Sequence, residues 1–280
     1  MLATRILTAA VLIPLVLAAL FLLPPRTFGV VLLAIVLVAA HEWARLAGFA
    51  RTRWLTFVGG TAVFGLMLLF GVPGSDRGWP PVVVLAVCGA ATAFWVIVAP
   101  PWIALRWSAR SPFALAVVGW IVLIGVWLAL VELQARSPWL VLAVMAIVWV
   151  ADTAAYFAGR AFGQRKLAPQ VSPGKTWEGV YGGLIAVAIY ALALVPLAAR
   201  AGFRQPVDVA SVTLWVAFAA ALAAISVVGD LFESLLKRHA GVKDSGHVLP
   251  GHGGVLDRAD ALLAAMPPAA LAALFFLPKS

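Results

Sequence analysis

Residues 113–133 read FALAVVGWIVLIGVWLALVEL, an apolar stretch in which the only ionisable group is Glu132. At about 1.5 Å per helical residue it is long enough to cross a hydrocarbon core of about 30 Å. Runs of the same kind lie near 6–23, 28–44, 54–72, 81–99, 139–158, 180–198, 209–229 and 261–277, and proline, glycine or charge punctuates the gaps between them. The pattern predicts an all-α, polytopic membrane protein with about nine transmembrane helices.

Composition agrees. Of the 280 residues, 64% are hydrophobic and only 11% charged, and mean hydropathy is +1.05. Soluble domains run at about 45–50% apolar. The first run, Ile6–Leu23, is long for a signal-peptide core and is followed after Pro24-Pro25-Arg26 by a second apolar segment, so it reads as an uncleaved helix. Cys88 is the only cysteine, which excludes a disulfide framework or a cysteine-ligated metal within one chain.

With the N-terminus in the cytoplasm, 14 of the 20 lysines and arginines fall inside and 6 outside, as the positive-inside rule requires. The net charge of +9 is therefore topogenic, and no nucleic-acid partner is expected. Trp54, Trp79, Trp102, Trp107 and Trp139 fall near span ends, where interfacial anchoring is the plain expectation. No repeat or low-complexity linker breaks the chain. It reads as one membrane domain, with N-terminal helices over 1–133 and a catalytic part over about 139–277.

Two long cytoplasmic loops, Gly159–Gly179 and Asp230–Asp260, stand apart from the short connections. If the eighth helix continues past Gly229, then Asp230, Glu233, Ser234 and Lys237 share one face. A solvated helix end with a Glu233/Lys237 pair is the plain account of that stripe, and a surface for phosphate is the functional one. Pro250-Gly251-His252-Gly253-Gly254 follows, then Asp257-Arg258-Ala259-Asp260 before the last span. Glycines of this kind let backbone N–H groups approach an anion. Asp257 and Asp260 alone could serve as helix capping. Acids beside hydrocarbon are costly, however, and normally have a partner or a task. Asp230, Asp257 and Asp260 together offer hard oxygen ligands suited to Mg²⁺, and Lys237, Arg238, Lys243 and Arg258 would neutralise a polyphosphate.

The first loop carries Ser172-Pro173-Gly174-Lys175-Thr176-Trp177-Glu178-Gly179. It is not a P-loop, because Pro169 stands where that motif needs glycine and no strand is expected before it. Lys175 is a candidate phosphate contact or a topogenic lysine. Asp152, near the inner end of the sixth span, is expected to support the site rather than ligate metal. His41-Glu42-Trp43 reads equally as interfacial or as part of the site, and His239 and His247 read as loop residues.

The stretch Ser234-x-Leu236-Lys237-Arg238, Lys243-Asp244 and Pro250-x-His252-Gly253-Gly254-x-x-Asp257-Arg258-x-Asp260 resembles the phosphatidate cytidylyltransferase (CDP-diacylglycerol synthase) family of bacteria. Asp152–Tyr156, Ser172–Gly179 and the Glu42-Trp43 region are also similar to it. The resemblance covers the C-terminal half well and the first five spans loosely. Ala259 departs from the larger aliphatic residue or threonine usual in the family, which bears on packing more than on chemistry. The resemblance implies transfer of CMP from CTP to phosphatidic acid, giving CDP-diacylglycerol and pyrophosphate, with one or two Mg²⁺ ions. It places catalytic roles on Asp230, Lys237, Asp257 and Asp260, the metal on the three aspartates, and substrate contacts on Ser172, Lys175, Ser234, Arg238, Lys243, His252 and Arg258. His252 either positions a phosphate or shapes the glycine loop. The implied location is the bacterial inner membrane, with the site facing the cytoplasm and a homodimer left open. The rival from another class is an ion or proton-coupled transporter, which would carry its acids near midplane on broken helices.

Overall fold

The computed structural model describes residues 2–73, 77–108, 111–200, 208–248, 250–251 and 253–277. Ten α-helices account for nearly all of them: α1 (Leu2–Leu22), α2 (Pro25–Leu46), α3 (Arg51–Gly71), α4 (Pro81–Ala93), α5 (Ala99–Leu105), α6 (Pro112–Arg136), α7 (Pro138–Phe162), α8 (Trp177–Arg200), α9 (Val209–His239) and α10 (Leu256–Phe276). A π-helical turn, Phe94–Val98, joins α4 to α5. Pro100 and Pro101 follow it, and their missing N–H groups prevent the regular hydrogen-bond ladder from continuing.

Eight helices among the described residues are long and apolar enough to cross a membrane, α4 and α5 counting as one. The chain is a multi-pass membrane protein. The first of the nine expected spans coincides with α1, a 21-residue helix. Large apolar side chains such as Val63, Met67 and Phe70 face outward from α3, as they can where the surrounding solvent is lipid.

Helix α6 is the hub. Two-thirds of its span window (67%) is buried, against 22% for α3 and α8, and it packs against α2, α4 and α10. Helices α7, α8 and α9 pack on one another at the side of this core. At one end of α10, Arg136 donates to the Ala273 and Leu277 carbonyls and pairs with the fully buried Glu132 at 2.8 Å. Glu132 also accepts the Trp79 N–H at 2.7 Å.

Three expectations change. The two polar loops are shorter than read, because α7 runs on to Phe162, α9 to His239, and α8 and α10 begin at Trp177 and Leu256. With 31 residues, α9 is about 46 Å long and overshoots the hydrocarbon, so polar residues can stay helical beyond it. A strand pair is present: β1 (Lys166–Ala168) and β2 (Ser172–Thr176) form an antiparallel hairpin. Its turn has Pro169 after Ala168, closed by the Val171 N–H on the Ala168 carbonyl at 3.1 Å, the favoured place for proline in a β-turn. The hairpin lacks the crossover of a P-loop, and that exclusion stands. Finally, Trp79 and Trp102 are buried rather than interfacial, while Trp107 and Trp139 are exposed.

Candidate active site

The hairpin and the ends of α7, α8, α9 and α10 enclose a cavity of about 680 Å³. Its lining includes the charged residues Asp152, Lys175, Asp230, Asp257, Arg258 and Asp260 together with the apolar residues Trp149, Ala155, Val180, Leu184, Ala223 and Val227. Both kinds of surface therefore belong to one space.

Each polar residue is placed by a local device. Helix α9 stays regular through Asp230, Glu233, Ser234 and Lys237, so the expected single face forms. The Ser234 hydroxyl donates to Asp230 at 3.3 Å, and Lys237 pairs with Glu233. Gly229 lets α10 come close: a Cβ there would meet the Asp260 carbonyl and lie 2.9 Å from the Ala264 Cβ. The hairpin is pinned at its base by Glu178, which accepts the Gln164 and Arg165 N–H groups at 3.1 Å each and the Arg165 guanidinium at 3.0 Å. That hydrogen bond and charge hold the Arg165 pKa above its ordinary value. Thr176 receives the Gly179 N–H at 3.1 Å, capping α8. So held, β2 delivers the Lys175 ammonium to within 2.6 Å of Asp230.

Asp257 is the most heavily engaged acid. Its Oδ1 accepts from Lys237 at 2.7 Å, and its Oδ2 accepts the Ser245 N–H and Gly254 N–H at 2.8 Å and faces the Ser245 hydroxyl at 3.0 Å. Asp260 accepts the Ala261 N–H at 2.8 Å. Asp152 lies within electrostatic reach of Lys175 and Asp230. The lining combines carboxylates with ammonium and guanidinium groups, a surface able to hold anionic phosphates and the cations that accompany them.

Comparison with known proteins then decides the family. Residues 3–276 match the model of the Cytidylyltransferase family. The chain belongs to that family. It is a nucleotidyltransferase enzyme, and the transporter reading is not favoured. The phosphatidate cytidylyltransferase of Pseudomonas aeruginosa is 40% identical over 269 residues, 95% of each chain. That of Haemophilus influenzae is 38% identical over 285 aligned residues, 95% of this chain and 96% of its own. A shorter match, 48% identical over 126 residues, joins 45% of this chain to 46% of the Thermotoga maritima protein of the same name.

Of the residues singled out in this cytidylyltransferase, Asp152, Ser172, Lys175, Asp230, Asp257, Arg258 and Asp260 line the cavity. Lys237 and Ser234 reach it through Asp257 and Asp230. Arg238 is exposed and donates to the Val171 carbonyl at 3.3 Å, bracing the hairpin turn. Lys243 is exposed and is not part of the lining, and His252 lies outside the described residues. No three acidic, histidine or cysteine side chains among the described residues gather closely enough to enclose a metal by themselves. His41 accepts from Trp54 at 2.9 Å. Reading the sequence gave no role to Ser245, Thr176, Glu178 or Arg160. Glu42, which it left open, is fully buried and bonded to the start of α10. The signal available for Glu42 was a carboxylate in an apolar helix; for Ser245 there was none.

Proposed function

We propose that the protein is a phosphatidate cytidylyltransferase, joining CTP to phosphatidic acid to give CDP-diacylglycerol and pyrophosphate. One observation carries this reading: charged residues and apolar residues line a single cavity. A soluble nucleotide needs only the first and a hydrocarbon chain only the second, whereas a lipid phosphate reacting with a nucleotide needs both. The name carried by the relatives from Pseudomonas aeruginosa and Haemophilus influenzae supports the same choice.

In the proposed reaction an oxygen of the lipid phosphate attacks the α-phosphorus of CTP roughly in line. A new P–O bond forms as the bond to the β-phosphate oxygen breaks, and pyrophosphate leaves with that electron pair. The nucleophile is already anionic, so alignment and charge matter more than a general base. Lys175, on the hairpin, and Arg258, on α10, face the cavity where phosphates would lie. Lys237 pairs with Asp257 at 2.7 Å and orients it.

The donor set fits Mg²⁺ of a particular kind. Asp230 and Asp260 are hard oxygen ligands on the cavity wall, and Asp230 already attracts an ammonium. Asp257 has Oδ2 fully used and offers only Oδ1, beside Lys237. Two or three such carboxylates with substrate phosphate oxygens and water suit Mg²⁺, which seldom uses an all-protein cage. Bound there, the ion would supply Lewis-acid stabilisation of phosphate charge.

Residues 139–277 form the catalytic part in this reading, since the cavity lining falls between Trp149 and Asp260. The 14-to-6 distribution of basic residues supports a cytoplasmic site in a bacterial inner membrane. The test is direct. Purified protein in detergent with CTP, phosphatidic acid and Mg²⁺ is expected to release pyrophosphate, and EDTA to stop it. Ion flux in vesicles without CTP, with no pyrophosphate release, would overturn the reading.

A further inference from the structure

Glu42 sits on α2, in the half of the chain that does not line the cavity. Its side chain is fully buried, and both oxygens are occupied. Oε1 accepts the Val255 N–H at 3.0 Å, and Oε2 accepts the Leu256 N–H at 2.9 Å and faces the Ser245 hydroxyl at 3.0 Å. Those N–H groups open α10, where helices leave donors unpaired and favour negative charge. Asp257 is the next residue, and the same Ser245 hydroxyl lies 3.0 Å from its Oδ2. One serine thus stands between two carboxylates, one outside the site and one within it. The surrounding turn is shaped to admit both. A Cβ on Gly254 would come 2.5 Å from Glu42 Oε1, and Gly253, at φ +84°, would place one 2.8 Å from Asp257 Oδ2.

We infer that Glu42 is a positioning residue for nucleotidyl transfer, fixing the start of α10 and Ser245 so that Asp257 and its partner Lys237 are held in line with the reacting phosphates. A carboxylate in an apolar helix is expensive, and among the described residues its hydrogen bonds go to the backbone and hydroxyl that orient Asp257. The inference rests on the nucleotidyltransferase reading, and its test separates the two.

Glu42→Gln replaces one acceptor oxygen with an NH₂ group facing N–H donors, so the Val255, Leu256 and Ser245 contacts cannot all survive. Expected is a fall in kcat of about 10–100-fold with KM for CTP little changed, because an alignment is lost rather than a binding contact. Glu132→Gln is the control: Glu132 is equally buried but its partner Arg136 binds the opposite end of α10. That variant is expected to lower the thermal midpoint while leaving kcat per folded molecule unchanged. Ser245→Ala cuts the bridge but spares both backbone bonds to Glu42, and combined with Glu42→Gln its loss is expected to be less than additive. Parental kcat in Glu42→Gln, an equal kcat loss in Glu132→Gln, or strict additivity overturns the inference. Should Glu42→Gln fail to fold, parental kcat in Ser245→Ala does so. If the parent protein itself releases no pyrophosphate, the functional reading fails. Positioning is then read from amide hydrogen exchange over 245–257, where protection unchanged by Glu42→Gln overturns it.

Discussion

A single ammonium, that of Lys237, serves two carboxylates from different stretches of chain, Glu233 and Asp257. The Lys237 side chain is 14% exposed and those of its partners 4% and 6%, so water does little of the screening. Removing the cation from such a group costs about 3–5 kcal/mol. Lys237→Met is therefore expected to lower stability by that order in detergent unfolding, and Glu233→Gln added to it to recover part of the loss. A single variant as stable as the parent contradicts the pairing. The Glu233–Lys237 half of this arrangement was legible in the sequence, because helix geometry makes residues four apart neighbours. The Lys237–Asp257 and Lys175–Asp230 contacts were not, since they depend on how separate helices and a hairpin dock. The same holds for Glu42, whose three partners are more than 200 residues away in the chain.

Between helices, the contact of α9 with α10 brings Asp230 beside Asp260. Gly229 makes that approach possible, as the place where an added Cβ meets α10 backbone and Ala264. Gly229→Ala is expected to cost about 1–3 kcal/mol by overpacking and to reduce turnover, since it pushes the two aspartates apart. Gly89→Ala, in α4 where an added Cβ meets nothing within 4 Å, is expected to be neutral or to stabilise by about 0.5–1 kcal/mol. Equal behaviour of the two variants contradicts the close approach. On its far side α9 is keyed by Phe232, whose ring packs edge-on against Phe94, Trp95 and Trp102 and stacks on Trp43. The helices themselves were readable from apolar length alone. The hairpin was missed because three- and five-residue strands are too short for periodicity to register, although Pro169 at the turn was visible. The same proline had excluded the P-loop.

Across the whole molecule, one end of the bundle holds the hairpin, the glycine turn and the acids, while the other holds the Glu132–Arg136 knot. The buried Cys88 makes the chain convenient for topology mapping. Lys243→Cys is expected to react with an impermeant maleimide only from the cytoplasmic side, and Arg77→Cys only from the opposite side. Labelling of both from one side contradicts the arrangement. The most direct measurement is pyrophosphate release from CTP and phosphatidic acid by the parent and by Asp230→Asn and Asp257→Asn, each shown to be folded. The account predicts turnover in the parent and its loss in both variants. Folded variants that retain parental turnover would show that these carboxylates, though gathered in one cavity, take no part in the reaction.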